Sequence, residues 1–99
     1  MYRRTFARVD LKACAANVKA LRTMAGDARL LAVVKADAYG HGLVPVARSA
    51  EKAWADWLAV AITEEGEALR EAGIRLPILI LGPVNELGAR AAVRCGLTM

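Results

Sequence analysis

Lys35 closes an apolar run, Leu30-Leu31-Ala32-Val33-Val34, and a compact loop holding Asp37, Tyr39, Gly40, His41 and Gly42 follows at once. A lysine at the C-terminal end of a buried strand is costly unless it has chemical work or a counter-charge. Burial disfavours an ammonium ion, and an amine held neutral is a nucleophile and a candidate Schiff-base former. The bland alternative is a snorkelling side chain with its head in solvent. Asp37 either orients Lys35 or anchors the loop through backbone N–H groups, and anchoring is the favoured role. His41 is the sole histidine; its Gly-His-Gly context predicts a loop hydrogen bond rather than catalysis. Gly40 and Gly42 supply backbone freedom ahead of the next helix. No GxGxxG or Walker-type loop is present, so the glycines do not mark a nucleotide site.

The elements that must position this stretch read as a repeating βα pattern. Residues 3–9 form an extended lead-in. Asp10 is expected to cap a helix over Leu11–Ala25, with Leu11, Cys14, Val18 and Leu21 on one face and Gly26 beyond its end. Leu30–Lys35 is a predicted buried strand. The loop Ala36–Gly42 leads to a helix over Leu43–Ala53 with Pro45 in its first turn. Trp57–Ala61 is a second strand, and Thr63 is expected to cap a helix through Ala72. Its glutamates, Glu64 to Glu71, form a solvated face, with Glu67 and Glu71 near Arg70 and Arg75. Ile78–Leu81 is a third strand. Asn85 caps a helix to Arg94, and Leu97-Thr98-Met99 begins a further strand.

This order predicts an α/β fold with a parallel sheet. Short apolar strands without polar alternation suit a sheet covered on both faces. Periodicity alone leaves two architectures open, a partial (β/α)8 barrel and an open doubly wound sheet. A complete barrel takes about 250 residues, so 99 residues hold only its first part.

Composition narrows the function classes. Fourteen Lys and Arg against ten Asp and Glu give +4. The arginines are scattered and no aromatic residues interleave with them, so no nucleic-acid surface is expected. Cys14 and Cys95 stand far apart without a CxxC or a histidine companion, so no metal site is expected. No signal peptide or membrane span is visible, which predicts a cytoplasmic protein with free thiols and no membrane partner.

AVVKADAYGHG, residues 32–42, closely resembles the pyridoxal-phosphate-binding segment of the alanine racemase family, and the resemblance runs from about Phe6 to Met99. It implies that residues 1–99 are the N-terminal fragment of that family's pyridoxal-phosphate-binding domain. The fold it implies is the N-terminal part of a (β/α)8 TIM-type barrel, fold type III among such enzymes, incomplete in this chain. It implies covalent attachment of pyridoxal 5'-phosphate to Lys35, with the freed amine serving as one of two bases. Tyr39 matches a tyrosine beside the phosphate, not the second base, which lies far downstream. Leu81, by its place in PILILG, matches a leucine lining the cofactor pocket; a plain core leucine is the equal alternative. The implied activity interconverts L-alanine and D-alanine, supplying D-alanine for peptidoglycan, in a homodimer of the complete protein. The opposite base, the arginine facing the pyridine nitrogen and most of the phosphate cup belong to later segments. Two other readings remain: a racemase of broader amino-acid specificity, and a catalytically inactive truncated fragment. The 99-residue chain alone is expected to be inactive.

Overall fold

In the computed structural model, which describes residues 4–99, five helical segments and three strands follow one another. Residues 4–10 are irregular. Helix α1 spans Leu11–Met24, and its first turn is capped as predicted, with Asp10 Oδ1 accepting from Ala13 N at 3.0 Å. Strand β1 is Leu31–Val33, α2 is the single turn Lys35–Tyr39, and α3 is Leu43–Lys52. Strand β2 is Trp57–Val60, α4 is Thr63–Glu71, β3 is Ile78–Ile80 and α5 is Glu86–Cys95.

The strands are parallel and lie in chain order β1-β2-β3. Val33 pairs with Ala59, which pairs with Leu79. Thr98 continues the series against Leu79, donating to Ile78 O and accepting from Ile80 N, both at 2.8 Å. Doubly wound sheets reverse their strand order at a switch point. Here adjacency runs forward without reversal, as in a barrel wall.

Alternation divides the sheet into two faces. Val34, Leu58, Val60, Ile78 and Ile80 pack with Ala47, Ala50, Leu69 and Ala92 of the helices into one buried cluster. Branched aliphatic residues suit this pleated, helix-covered surface. The opposite face corrects the expectation of a sheet covered on both sides. Leu31 and Val33 of the edge strand are 36% and 39% exposed, with Val33 bordering an open groove along α1. Strand β2, flanked on both edges, is half-buried at Trp57 and buried from Leu58 to Val60. Helix α1 also differs from its predicted role: Cys14 and Val18 are half-buried, but Leu11 and Leu21 are exposed. It packs on α3 rather than on the sheet, tied there by Ser49 Oγ donating to Leu11 O.

Two local expectations change. Thr63 is buried as the first residue of α4, not its cap. Glu65 instead reaches back, its Oε1 accepting from Ala61 N at 2.9 Å and Ile62 N at 3.3 Å. That is the glutamate half of a capping box. Among the described residues Arg70 pairs with no carboxylate. Its guanidinium donates to the carbonyls of Cys95 and Gly96 at the end of α5 and of Ile74 and Leu76 before β3. The planar fork thus ties two βα units together at the sheet's N-terminal end.

Arg70→Ala removes all four donors and leaves partly buried carbonyls unpaired. Urea unfolding of the protein is expected to show a loss of about 2–4 kcal/mol. Arg70→Lys should recover less than half of it, since an ammonium cannot span the same acceptors.

Candidate active site

Parallel strands bring their C-terminal ends to one rim, where the β1–α3, β2–α4 and β3–α5 connections emerge. The ladder continues past the assigned strands, with Val34 N donating to Ala59 O at 2.9 Å and Leu81 N to Val60 O at 2.8 Å. Carried one step further, the register sets Lys35 level with Ala61 and Leu81. At the spacing of neighbouring strands, Lys35 and Leu81 are roughly 10 Å apart along the rim. Gly82 keeps the exit of β3 close to that of β2, since a Cβ there would meet Ala61 O at 2.5 Å.

The connection after Lys35 is not an open loop. Ala36, Asp37, Ala38 and Tyr39 have φ of 52°, 57°, 53° and 56°, a complete left-handed turn without a glycine. Gly40 and Gly42 follow at φ 88° and 100°. An L-residue in this region costs about 1–2 kcal/mol, so four cost on the order of 4–8 kcal/mol. The surrounding bonds hold the turn in place. Ala38 N donates to Val34 O at 2.8 Å, Gly40 N to Ala36 O at 3.2 Å and Gly42 N to Asp37 O at 2.9 Å. The Ala38 methyl is buried in the helix-side core. Sequence reasoning anticipated the freedom of the glycines but missed the handedness. Alanine and tyrosine give no signal for left-handed backbone; only Asp37 tolerates it readily.

Asp37 anchors, as the sequence suggested: its Oδ1 accepts from Leu43 N at 2.8 Å, capping α3. His41 makes the expected loop bond, with Nδ1 2.9 Å from Ala38 O and acting as donor to it. Lys35 is half-buried rather than enclosed, because the open face of β1 lies beside it. Among the described residues no hydrogen bond or ion pair engages its amine, and the same holds for Lys12, Lys19 and Lys52, whereas Arg22, Arg48, Arg70 and Arg90 are committed. Tyr39 is 61% exposed and Leu81 52% exposed on the same rim. The structure therefore brings the three candidates to one edge as an open surface. Of two grooves along α1, one borders the turn, lined by Val18, Val33, Ala38 and His41, and the other lies away from it, lined by Lys12, Arg48 and Lys52. Asp56 and Trp54 lie at the opposite end of the strands. Asp56 there accepts from Leu30 N at 2.7 Å, in keeping with a loop role. Among the described residues no three His, Cys, Asp or Glu side chains cluster as metal ligands, and no helix is long and apolar enough to cross a membrane.

A forward-running parallel wall with Lys35 on its C-terminal rim, followed by a left-handed turn, defines a class: the N-terminal part of a parallel α/β barrel. Comparison with known proteins makes it specific. The profile of the alanine racemase N-terminal domain matches residues 9–99, so the chain belongs to the alanine racemase family. The alanine racemase of Symbiobacterium thermophilum is 54% identical over 95 residues, covering 96% of this chain and 25% of that protein. That of Geobacillus stearothermophilus is 50% identical over 94 residues, covering 94% and 24%. The solved alanine racemase of Corynebacterium glutamicum superposes with a TM-score of 0.85 at 40% identity, over 90% of this chain and 26% of that one. That of Bacillus anthracis with bound L-Ala-P gives 0.81 at 44% identity, over 92% and 25%. The fold is the N-terminal part of the TIM barrel of these isomerases. The chain spans about a quarter of the length of the relatives it matches.

The turn's handedness gives a test. Ala36 is exposed at φ 52°, so Ala36→Gly removes strain without removing packing. Thermal unfolding is expected to show equal or higher stability, by up to about 1 kcal/mol. Ala36→Val, β-branched in the same position, should instead cost more than about 1 kcal/mol.

Proposed function

We propose that residues 1–99 are the N-terminal fragment of the barrel domain of a pyridoxal-phosphate-dependent racemase that interconverts L-alanine and D-alanine. The observation that carries this reading is the place of Lys35 at the C-terminal end of β1, ahead of the left-handed turn, within a chain matching the family from residue 9 to 99. Active sites of barrel enzymes form at that end, from the loops that follow the strands.

The residues present fit one end of the cofactor. Lys35 offers a primary amine with no competing counter-ion. Tyr39 offers a phenol hydroxyl one turn away, and Leu81 an apolar wall across the rim. When bound, pyridoxal phosphate supplies the electron sink that makes the substrate's Cα–H acidic. Lys35 would hold the cofactor through its amine, and the same amine would take and return the substrate's Cα proton on one face. Tyr39 would hold the phosphate through its hydroxyl, and Leu81 would line the ring. On the family reading, the opposite base, the pyridine-nitrogen partner and most of the phosphate cup belong to other segments of the complete protein. Supply of D-alanine for peptidoglycan, a cytoplasmic location and a homodimeric assembly follow from the same family reading.

Borohydride reduction of the cofactor-loaded protein followed by peptide mapping is expected to place the pyridoxyl group on Lys35. An adduct on Lys12, Lys19 or Lys52 instead would overturn the assignment. Lys35→Ala should abolish racemisation, followed by chiral chromatography of alanine, while far-UV circular dichroism stays native.

Tyr39→Phe should weaken cofactor binding roughly ten- to a hundredfold, the equivalent of one hydrogen bond to an anionic group. A cofactor titration checks this. Unchanged affinity with collapsed turnover would give Tyr39 a direct part in proton transfer.

A further inference from the structure

The left-handed turn stands between Lys35 and Tyr39, so whatever holds the turn sets where both side chains point. Its main-chain bonds close within the turn itself. Only two side chains add to them. His41 Nδ1 bonds Ala38 O, still inside the loop. Asp37 alone reaches out, joining the turn to α3 through Leu43 N at 2.8 Å. Its own carbonyl accepts from Gly40 N at 3.0 Å and Gly42 N at 2.9 Å, so one residue fixes both ends of the reversal. Helix α3 is a firm anchor, with Ala47, Ser49 and Ala50 buried. Its cap position is Gly42, which has no side chain, and no other cap bonds the first turn. Asp37 is exposed and its carboxylate makes no ion pair with Lys35 among the described residues.

We propose that Asp37 is the positioning residue of the site, tying the strained turn to α3 and thereby aiming Lys35 and Tyr39 at the cofactor. Its acceptor oxygen matters rather than its charge toward Lys35. This inference rests on the cofactor reading above.

Two variants of the whole protein separate the possibilities. Asp37→Gly accepts φ 57° without strain but cannot reach Leu43 N, so the fold is kept and the tie is lost. Asp37→Asn keeps an acceptor oxygen and tolerates the left-handed region, but removes the charge. Hydrogen exchange at the Leu43 amide, visible circular dichroism of the bound cofactor, its dissociation constant and the kcat-against-KM split are measured for both. With Asp37→Gly, Leu43 exchange should rise and the visible dichroism should weaken. Cofactor dissociation should rise and kcat fall by roughly tenfold each, with KM for alanine little changed, as for one charge-assisted hydrogen bond lost. Asp37→Asn should restore the dichroism and bring both losses back to within about threefold, as expected where a neutral acceptor replaces a charged one. Wild-type dichroism and kcat in Asp37→Gly would overturn the proposal, and so would equal losses in the two variants. Mapping of the wild-type borohydride adduct away from Lys35 would sink the cofactor reading itself, a result neither variant can mimic.

Discussion

Burial of one face of a parallel ladder under three helices is the constraint on which the rest of this chain depends. Val34, Leu58, Val60, Ile78 and Ile80 supply that face, and small residues of the helices, Ala47, Ala50 and Ala92, let the layers approach closely. Alanine at the contact matters because interiors are close-packed and larger side chains would push the helices off the sheet. Gly66 shows the same closeness on α4, where a Cβ would meet Leu97 Cδ1 at 2.6 Å. Once the ladder is set, parallel pairing brings every strand's C-terminal end to one rim. No further interaction is needed to gather Lys35, Ala61 and Leu81 there.

The left-handed turn draws on that rigidity. A strained segment persists only where its surroundings over-determine it. Here the strand before it is in the ladder, the helix after it is in the core, and the buried Ala38 methyl pins its middle. Relaxing the turn to right-handed backbone would withdraw Ala38 from the core and break the Asp37–Leu43 tie. Strain in this region thus falls on Ala36, Asp37 and Ala38, between the candidate amine and the candidate phenol, and on Tyr39 itself.

The face opposite the helices is where this chain differs most from a self-sufficient domain. Leu31, Val33 and Leu81 are exposed there, and Lys35 is only half-buried. In a closed barrel that face points inward and is filled by side chains of other strands. On this open face the Lys35 amine has no hydrogen-bond or ion-pair partner among the described residues.

Much of this was legible in the sequence. The helices, their Asp10 and Asn85 caps, the three strands and the strand start at Thr98 follow from local apolar spacing and turn chemistry, which act within a few residues. The lysine motif is equally local, and so are the anchoring roles of Asp37 and His41. Other features joined distant parts of the chain and had no local signal. Arg70 gripping Cys95 and Gly96, Glu51 accepting from Arg75 N at 2.9 Å, and Asp56 holding Leu30 N depend on which loops meet in space. The handedness of residues 36–39 belongs with them. Alanine, aspartate and tyrosine prefer right-handed backbone by themselves, and only a ladder on one side and a buried helix on the other impose the opposite turn. Sequence alone determined which residues are candidates for the chemistry and which elements carry them. The tertiary structure decided strand order, the open face and the direction of the turn, because each is set by contacts between residues too far apart in the chain for local preference to reach.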